Sequence, residues 1–310
     1  MPITKNQNKK SLKFNVLKLC FILLILVLSF LYSEEIKDGV LFGMRLGAIE
    51  VIPAVFPFFV FSDYMYSSSS FGFSFPGAVF QKLFKLPPEY LRSFVLSAIF
   101  GFPVGARCCS EQYKSSGLRE YTERAICLCS NPSMAFTVFA VGGVMLSDIY
   151  AGFCLYFSVV LSTVILGILY GRNEPYKAIP QIADFRSFSL SASINSAGTL
   201  SLSVCSFITF FSAVIALAKC FLKTELSIAF VSSFLEVGNA VSHIISAEAD
   251  VLLRIGLLGF ALGFSGLSVL CQARAALPRD IRLFKLYIFK ISEGTLCAFI
   301  ASAFYFLLFK

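Results

Sequence analysis

The chain has 310 residues, 57% of them hydrophobic and 14% charged, with a mean hydropathy of +0.80. Soluble globular chains carry roughly 25% charged residues, so a water-facing surface cannot be covered here and lipid is the implied solvent. The net charge of +8 does not indicate nucleic-acid binding, because the basic residues are scattered between hydrophobic runs instead of forming a stripe with interleaved aromatics.

Residues 1–18 carry Lys5, Lys9, Lys10, Lys13 and Lys18 ahead of the apolar run Leu19–Tyr32. The Ser-Glu-Glu that follows offers no small-x-small cleavage site. An uncleaved first helix is therefore expected, with its lysines cytosolic and Glu34–Asp38 outside. Ala48–Ser62, short and broken by Pro53 and Pro57, is the candidate for a segment that enters the membrane and returns. Runs free of Asp, Glu, Lys and Arg cover Ala125–Ser147, Ile149–Gly171, Ser187–Ala218 and Ile255–Ala273. Each is near or beyond the ~18 to 20 residues that a helix needs to cross hydrocarbon. Leu19–Ser33, Ser93–Ala106 and Gly294–Phe309 are shorter and span if their flanking residues snorkel. Arg274, Arg279, Arg282, Lys285 and Lys290 mark the segment before the last helix as cytosolic.

The polar stretch Arg172–Arg186, with Pro175 and Pro180, divides the hydrophobic part of the chain. Two elements recur across it in the same order. Phe61-Ser62 corresponds to Phe211-Ser212, and Gly101-Phe-Pro-Val-Gly-Ala-Arg-Cys-Cys109 to Gly263-Phe-Ser-Gly-Leu-Ser-Val-Leu-Cys271. The expected fold is all-α and polytopic, with about eight membrane segments, some broken or re-entrant, in two repeated halves of inverted topology. Residues 1–40 form an N-terminal helix, 41–175 the first repeat and 187–310 the second.

Irregular backbone inside a bilayer is tolerated where it is buried or lines a cavity. Gly101, Pro103 and Gly105 interrupt one apolar run, Ser265 and Gly266 another, followed by Gln272. The freed peptide groups and helix ends there suit a polar solute; a packing kink is the alternative. Asn131-Pro132-Ser133 is a third break, in which Asn131 reads equally as an N-cap. Burying charge in lipid is costly, which singles out Glu50, Glu236 with Asn239 three residues on, and Arg107 as candidate solute or cation ligands beside the alternative of interfacial ion pairs. His243 is the only histidine, and reads as a surface or cavity side chain. Cys108–Cys109 and Cys127-Leu-Cys129 lack metal or redox spacing, so the ten cysteines read as packing residues, and neither metal nor cofactor is expected. No phosphate-binding loop, hydrolase elbow or zinc-protease helix motif is present, so the chain is not expected to be an enzyme.

Five motifs in order carry a resemblance over residues 40–310. They are Pro53-Ala-Val-Phe-Pro-Phe-Phe59, Gly101-Phe-Pro-Val-Gly-Ala-Arg107, Cys129-Ser-Asn-Pro-Ser133, Leu235-Glu-Val-Gly-Asn239 and Gly263-Phe-Ser-Gly-Leu-Ser-Val-Leu-Cys-Gln272. The chain resembles the sporulation integral membrane protein family of YlbJ type, within the nucleoside-recognition, or Gate, group. That resemblance implies a bacterial cell membrane, with the outer forespore membrane as one setting, and a role in spore formation. It also implies a carrier of a dipicolinate- or nucleoside-like solute. The expected function is a secondary transporter whose partners are the lipid bilayer, a small polar or anionic solute and a coupling cation or proton. The rival is a non-transporting scaffold or regulator of spore-envelope assembly, which would have no need of polar residues at apolar depth.

Overall fold

The computed structural model describes residues 19, 23–67, 74–172 and 189–309. Among these, every regular element is helical. Residues 23–31 form α1, followed by α2 (Ser33–Arg45), a π-helical turn π1 (Leu46–Val51), α3 (Ile52–Ser67) and α4 (Ser74–Phe84). Then come α5 (Tyr90–Phe100), α6 (Phe102–Ser116), α7 (Arg119–Leu128), the π-helix π2 (Ala135–Met145) and α8 (Ile149–Gly171). The remainder is α9 (Leu190–Lys219), α10 (Glu225–Leu235), α11 (Val237–Ser246), α12 (Val251–Phe264), α13 (Gly266–Ala276) and α14 (Phe284–Phe309). Among the described residues, five stretches are long and apolar enough to cross a membrane: Ser33–Ser62, Ile149–Gly171, Leu190–Lys219, Val251–Ala276 and Phe284–Leu308. Phe157, Phe210, Phe299 and Phe306 stand exposed on them, a surface at home in hydrocarbon and not in water. This is an α-helical membrane protein.

Two pairs of long helices pack antiparallel. Gly39, Gly43 and Gly47, one per turn on α2 and π1, face Ala216, Ser212 and Cys205 of α9 in turn. The spacing of small residues lets the two backbones approach closely where lipid supplies no hydrophobic drive. Along α8 and α14, Tyr170 meets Phe289 edge-on at 5.3 Å, Thr163 meets Glu293, and Ala151 lines a cavity with Ala301. Between these pairs lie two helical hairpins. α5 packs back on α6 and α10 on α11; α5 and α10 have 11 residues each, about 16 Å, or half the thickness of hydrocarbon.

The structure corrects several expectations. Ala48–Ser62 does not enter and return: α2, π1 and α3 are one unbroken helical path. Ile52 donates its amide to Gly47, a π-type bond one residue before Pro53. The widened turn accommodates a residue that has no amide to give. The reversal falls instead in Ser93–Ala106, expected to span, because Gly101 adopts φ 92°, ψ 177°, a region open to glycine alone. The uncharged run Ala125–Ser147 is likewise not one helix but α7 and π2, separated at residues 129–134. No chain reversal separates α1 from α2 either, since Tyr32 donates to Leu28 and Ile36 to Tyr32. Glu34–Asp38 therefore sits within α2, and α2 runs through the boundary expected at residue 40. Apart from Arg172, the dividing stretch Arg172–Arg186 lies outside the described residues. So do the N-terminal lysines.

At one end of the bundle, Arg119 Nε donates to Glu123 at 2.6 Å, and the Arg282 amide reaches the same carboxylate at 2.8 Å. Tyr113 donates its hydroxyl to Asp280, holding that carboxyl below its ordinary range. These contacts tie the loop before α14 to α6 and α7.

A β-carbon at Gly105 would lie 2.0 Å from the Cys129 carbonyl oxygen, whereas one at Gly198 meets nothing within 4 Å. Gly105→Ala is therefore expected to destabilise by about 1–3 kcal/mol, and Gly198→Ala to be neutral or to stabilise by up to about 1 kcal/mol. Thermal unfolding in detergent checks the contrast.

Candidate functional site

Four helix interruptions meet in the centre of the molecule. At the tip of the first hairpin, a β-carbon on Gly101 would lie 2.9 Å from Cβ and 3.1 Å from the amide nitrogen of Ser133, in the break between α7 and π2. At the tip of the second, Glu236 leaves the helix with φ −153° and ψ 127°. Its neighbour across the gap is Gly266, whose own β-carbon would come within 2.9 Å of the Leu235 carbonyl oxygen. Ser265 and Gly266 both take positive φ, 68° and 80°, and separate α12 from α13. Each hairpin tip thus rests against a broken helix.

The four breaks line a cavity of about 40 Å³, with Gly101, Pro103, Ser133, Glu236, Ser265 and Gln272 supplying its polar parts. Val204 and Ile208 form part of its apolar wall. They lie near the middle of the 30-residue α9, as Ser265 does in the span Val251–Ala276, so the cavity sits at mid-depth. It has room for a few waters, at roughly 10–15 Å³ each.

The polar groups are not equivalent. The Glu236 carboxylate is the N-cap of α11: Oε2 accepts the Asn239 amide at 2.7 Å and the Asn239 side-chain nitrogen at 2.8 Å. Asn239 also donates to Ser212 of α9 at 2.7 Å. Glu236 and Asn239 do pair, but as a cap and not as neighbours on one helical face. Ser133 caps π2, its Oγ accepting from Phe136 at 2.9 Å. No side chain caps α6 or α13, so their first amides, with the positive ends of both helix dipoles, have no side-chain acceptor. Ser265 donates to Leu262 at 2.9 Å, and Gln272 to Ser268 at 3.2 Å.

Of the residues singled out from sequence, Gly101, Pro103, Glu236, Ser265 and Gln272 line this cavity. Asn239 and Gly266 hold it from behind. Gly105 lies outside it, wedged against Cys129. Glu50 is half-buried on π1 and does not line the cavity, although its neighbour Val51 does, and Arg107 turns to Ser196 of α9. His243 is buried, not at the surface, and stacks on Phe42 with centroids 6.3 Å apart. No cluster of histidine, cysteine and carboxylate that could hold a metal occurs among the described residues.

Asn131 belongs to a second site that the sequence reading missed. Lys290, counted above among cytosolic charges, and Glu293 both lie inside α14 with no exposed surface. Lys290 Nζ donates to Glu293 Oε2 at 2.8 Å and to Asn131 Oδ1 at 3.0 Å. Asn131 Nδ2 donates to Thr163 Oγ1 at 2.8 Å, and that hydroxyl donates to Glu293 Oε1. The ring closes over α14, α8 and the α7–π2 break. The available signal was two opposite charges three residues apart, hence on one helical face, in an otherwise apolar run.

No family model, curated protein or solved structure matches the chain.

Removing one member of a buried ion pair strands the other. Lys290→Met is expected to cost about 3–5 kcal/mol, while the double replacement Lys290→Met/Glu293→Leu restores most of the loss. Unfolding of purified single and double variants measures both.

Proposed function

We propose that the protein is a secondary carrier for a small anionic or carbonyl-bearing solute, bound at mid-bilayer between the four helix breaks. The observation that carries this reading is the pair of helix N-termini, on α6 and α13, that open without side-chain caps onto one cavity. In hydrocarbon, such amides need a partner, and a helix N-terminus favours an anion or a carbonyl oxygen. The Glu236 charge is already engaged by α11, so it orders the tip of the second hairpin and leaves the free helix ends to the solute. A scaffold has no use for this arrangement. Nor does the cavity present a nucleophile beside a base, as a membrane enzyme would require.

The cavity as it stands, at about 40 Å³, is too small for such a solute. A planar dianion of the dipicolinate kind, or a nucleoside, fits after the hairpin tips move away from the broken helices. That is the opening an alternating-access carrier makes. Two inverted repeats account for the arrangement. In each, a long helix leads, a hairpin and a broken helix follow, and a long helix closes; α4 is an addition to the first. Supporting the inversion, α2–α3 packs antiparallel to α9, and α8 to α14. This element order pairs the Gly101 tip with the Glu236 tip, and Ser133 with Ser265, in place of the Gly101–Gly263 match suggested by sequence. With the basic loop 277–283 placed in the cytosol, the first hairpin enters from the cytosolic face and the second from the outer face. The start of α2 is then outside, and a cytosolic N-terminus requires α1 to cross beside α2, which the amide ladder through Tyr32 does not provide. A bacterial cell or forespore membrane, and a part in spore formation, follow from the family resemblance.

Glu236→Gln and Gln272→Ala are each expected to abolish solute movement without lowering membrane abundance. Uptake into proteoliposomes, with dipicolinate, nucleosides and divalent cations as the panel, decides the matter. Full transport by both variants places the site elsewhere, and uptake of divalent cations alone removes the anionic reading.

A further inference from the structure

The Lys290–Glu293 ring plays no part in the solute site, yet it lies between that site and a separate cavity. On one side, Asn131 is followed directly by Pro132 and Ser133, both in the wall of the central cavity. On the other, a cavity of about 140 Å³ is lined by Cys127, Leu128, Arg124, Lys285 and Phe289. Phe289 precedes Lys290 in α14, and the Leu128 carbonyl accepts from Asn131 at 3.3 Å. That space holds several waters at roughly 10–15 Å³ each. Its lining runs from Gly171 at the end of α8 and Lys285 at the start of α14 to Phe289, one residue from the ring.

We propose that Glu293 is the proton-binding site that couples the carrier to a pH gradient, with Lys290 and Asn131 passing its state to the central cavity. The inference rests on the carrier reading above. A proton arriving through the 140 Å³ cavity adds to a Glu293 carboxylate oxygen, forming one O–H bond. The Lys290 ammonium then loses its counter-charge and is left with neutral acceptors alone, the Asn131 carbonyl and the protonated carboxyl. A buried charge without its partner is costly, so the ring has two states, closed or released, and no stable half-open form. Release frees the α7–π2 break, which is the wall that Gly101 leans on. The same unpaired ammonium favours an anion in the neighbouring cavity, so proton and anionic solute travel together.

The titratable groups around Glu293 do not replace it in this role. Cys297 faces it from α14 itself and Cys127 from α7, with Lys285 two turns back along α14 and nearer to Cys127. α8 presents Thr163, with Tyr170 further along against Phe289. From α12 only Arg254 is charged, and it lines the cavity at the opposite end of the bundle. Thiols, phenols and amines ordinarily release protons at about pH 8.5 and above. Glu293 is the carboxylate of the group.

The test uses the full chain in lipid vesicles and needs no known solute for its first two readouts. Infrared difference spectra on acidification are expected to show the carbonyl stretch of a protonated buried carboxyl, absent in Glu293→Gln and retained in Glu236→Gln. Hydrogen exchange of residues 129–136, corrected for the intrinsic effect of pH, is expected to rise by about tenfold on acidification in the wild type and to be independent of pH in Glu293→Gln. If that variant fails to fold, Lys290→Met/Glu293→Leu removes the ring without stranding a charge and is expected to give the same pH-independent exchange. A carboxyl band that persists in Glu293→Gln, or the same pH response of 129–136 in wild type and variants, overturns the proposal. Uptake of the panel solutes under an imposed pH gradient separates the two readings. Movement indifferent to the gradient overturns the coupling alone. Titration of Glu293 with no movement of any panel solute overturns the carrier.

Discussion

A peptide group in hydrocarbon has nowhere to turn but to the protein, and every unusual feature of this chain follows from that constraint. Continuous helices satisfy it within themselves, and the long antiparallel pairs α2–α3 with α9 and α8 with α14 do so at the outside of the molecule. Interruptions at Gly101, residues 129–134, Glu236 and Ser265 break the ladder at mid-depth. Such breaks persist when they shield each other from lipid. Here they do it in pairs, Gly101 on Ser133 and Gly266 on Leu235, too close to admit a β-carbon on either glycine. The polar centre is a consequence of hiding the breaks.

The groups at that centre divide the labour. Glu236 and Ser133 satisfy the first amides of α11 and π2, and by doing so fix the positions of one hairpin tip and one broken helix. α6 and α13 are left open. The asymmetry matters chemically. An uncapped helix start keeps amide donors for an added acceptor, and a capped one does not.

Charge follows the same logic. Lys290 and Glu293 are fully buried and mutually neutralising, with Asn131 and Thr163 taking the remaining valences. Apolar side chains would fill the space with less desolvation cost. What the polar version adds is dependence on protonation, in contact with the only break whose loop extends over several residues among the four. Packing alone gives no reason for it.

How much was legible beforehand depended on how local the cause was. Composition and uncharged runs sufficed for a helical membrane protein, because the cost of a charge in lipid is paid residue by residue. Gly101, Pro103, Ser265 and the residues 131–133 announced themselves as breaks, since glycine and proline act on their own backbone. The sequence did not reveal which break reverses the chain. Pro53 and Pro57 looked stronger than Gly101, yet a π-turn absorbs Pro53, Pro57 stays within the continuous α3, and a positive φ turns the chain at Gly101. Nor could it place Lys290 inside, Arg107 against Ser196, or Glu236 at a helix cap. Those outcomes depend on which elements lie opposite, and contacts between residues more than a hundred positions apart, such as Asn131 with Lys290, are set only when the helices have packed.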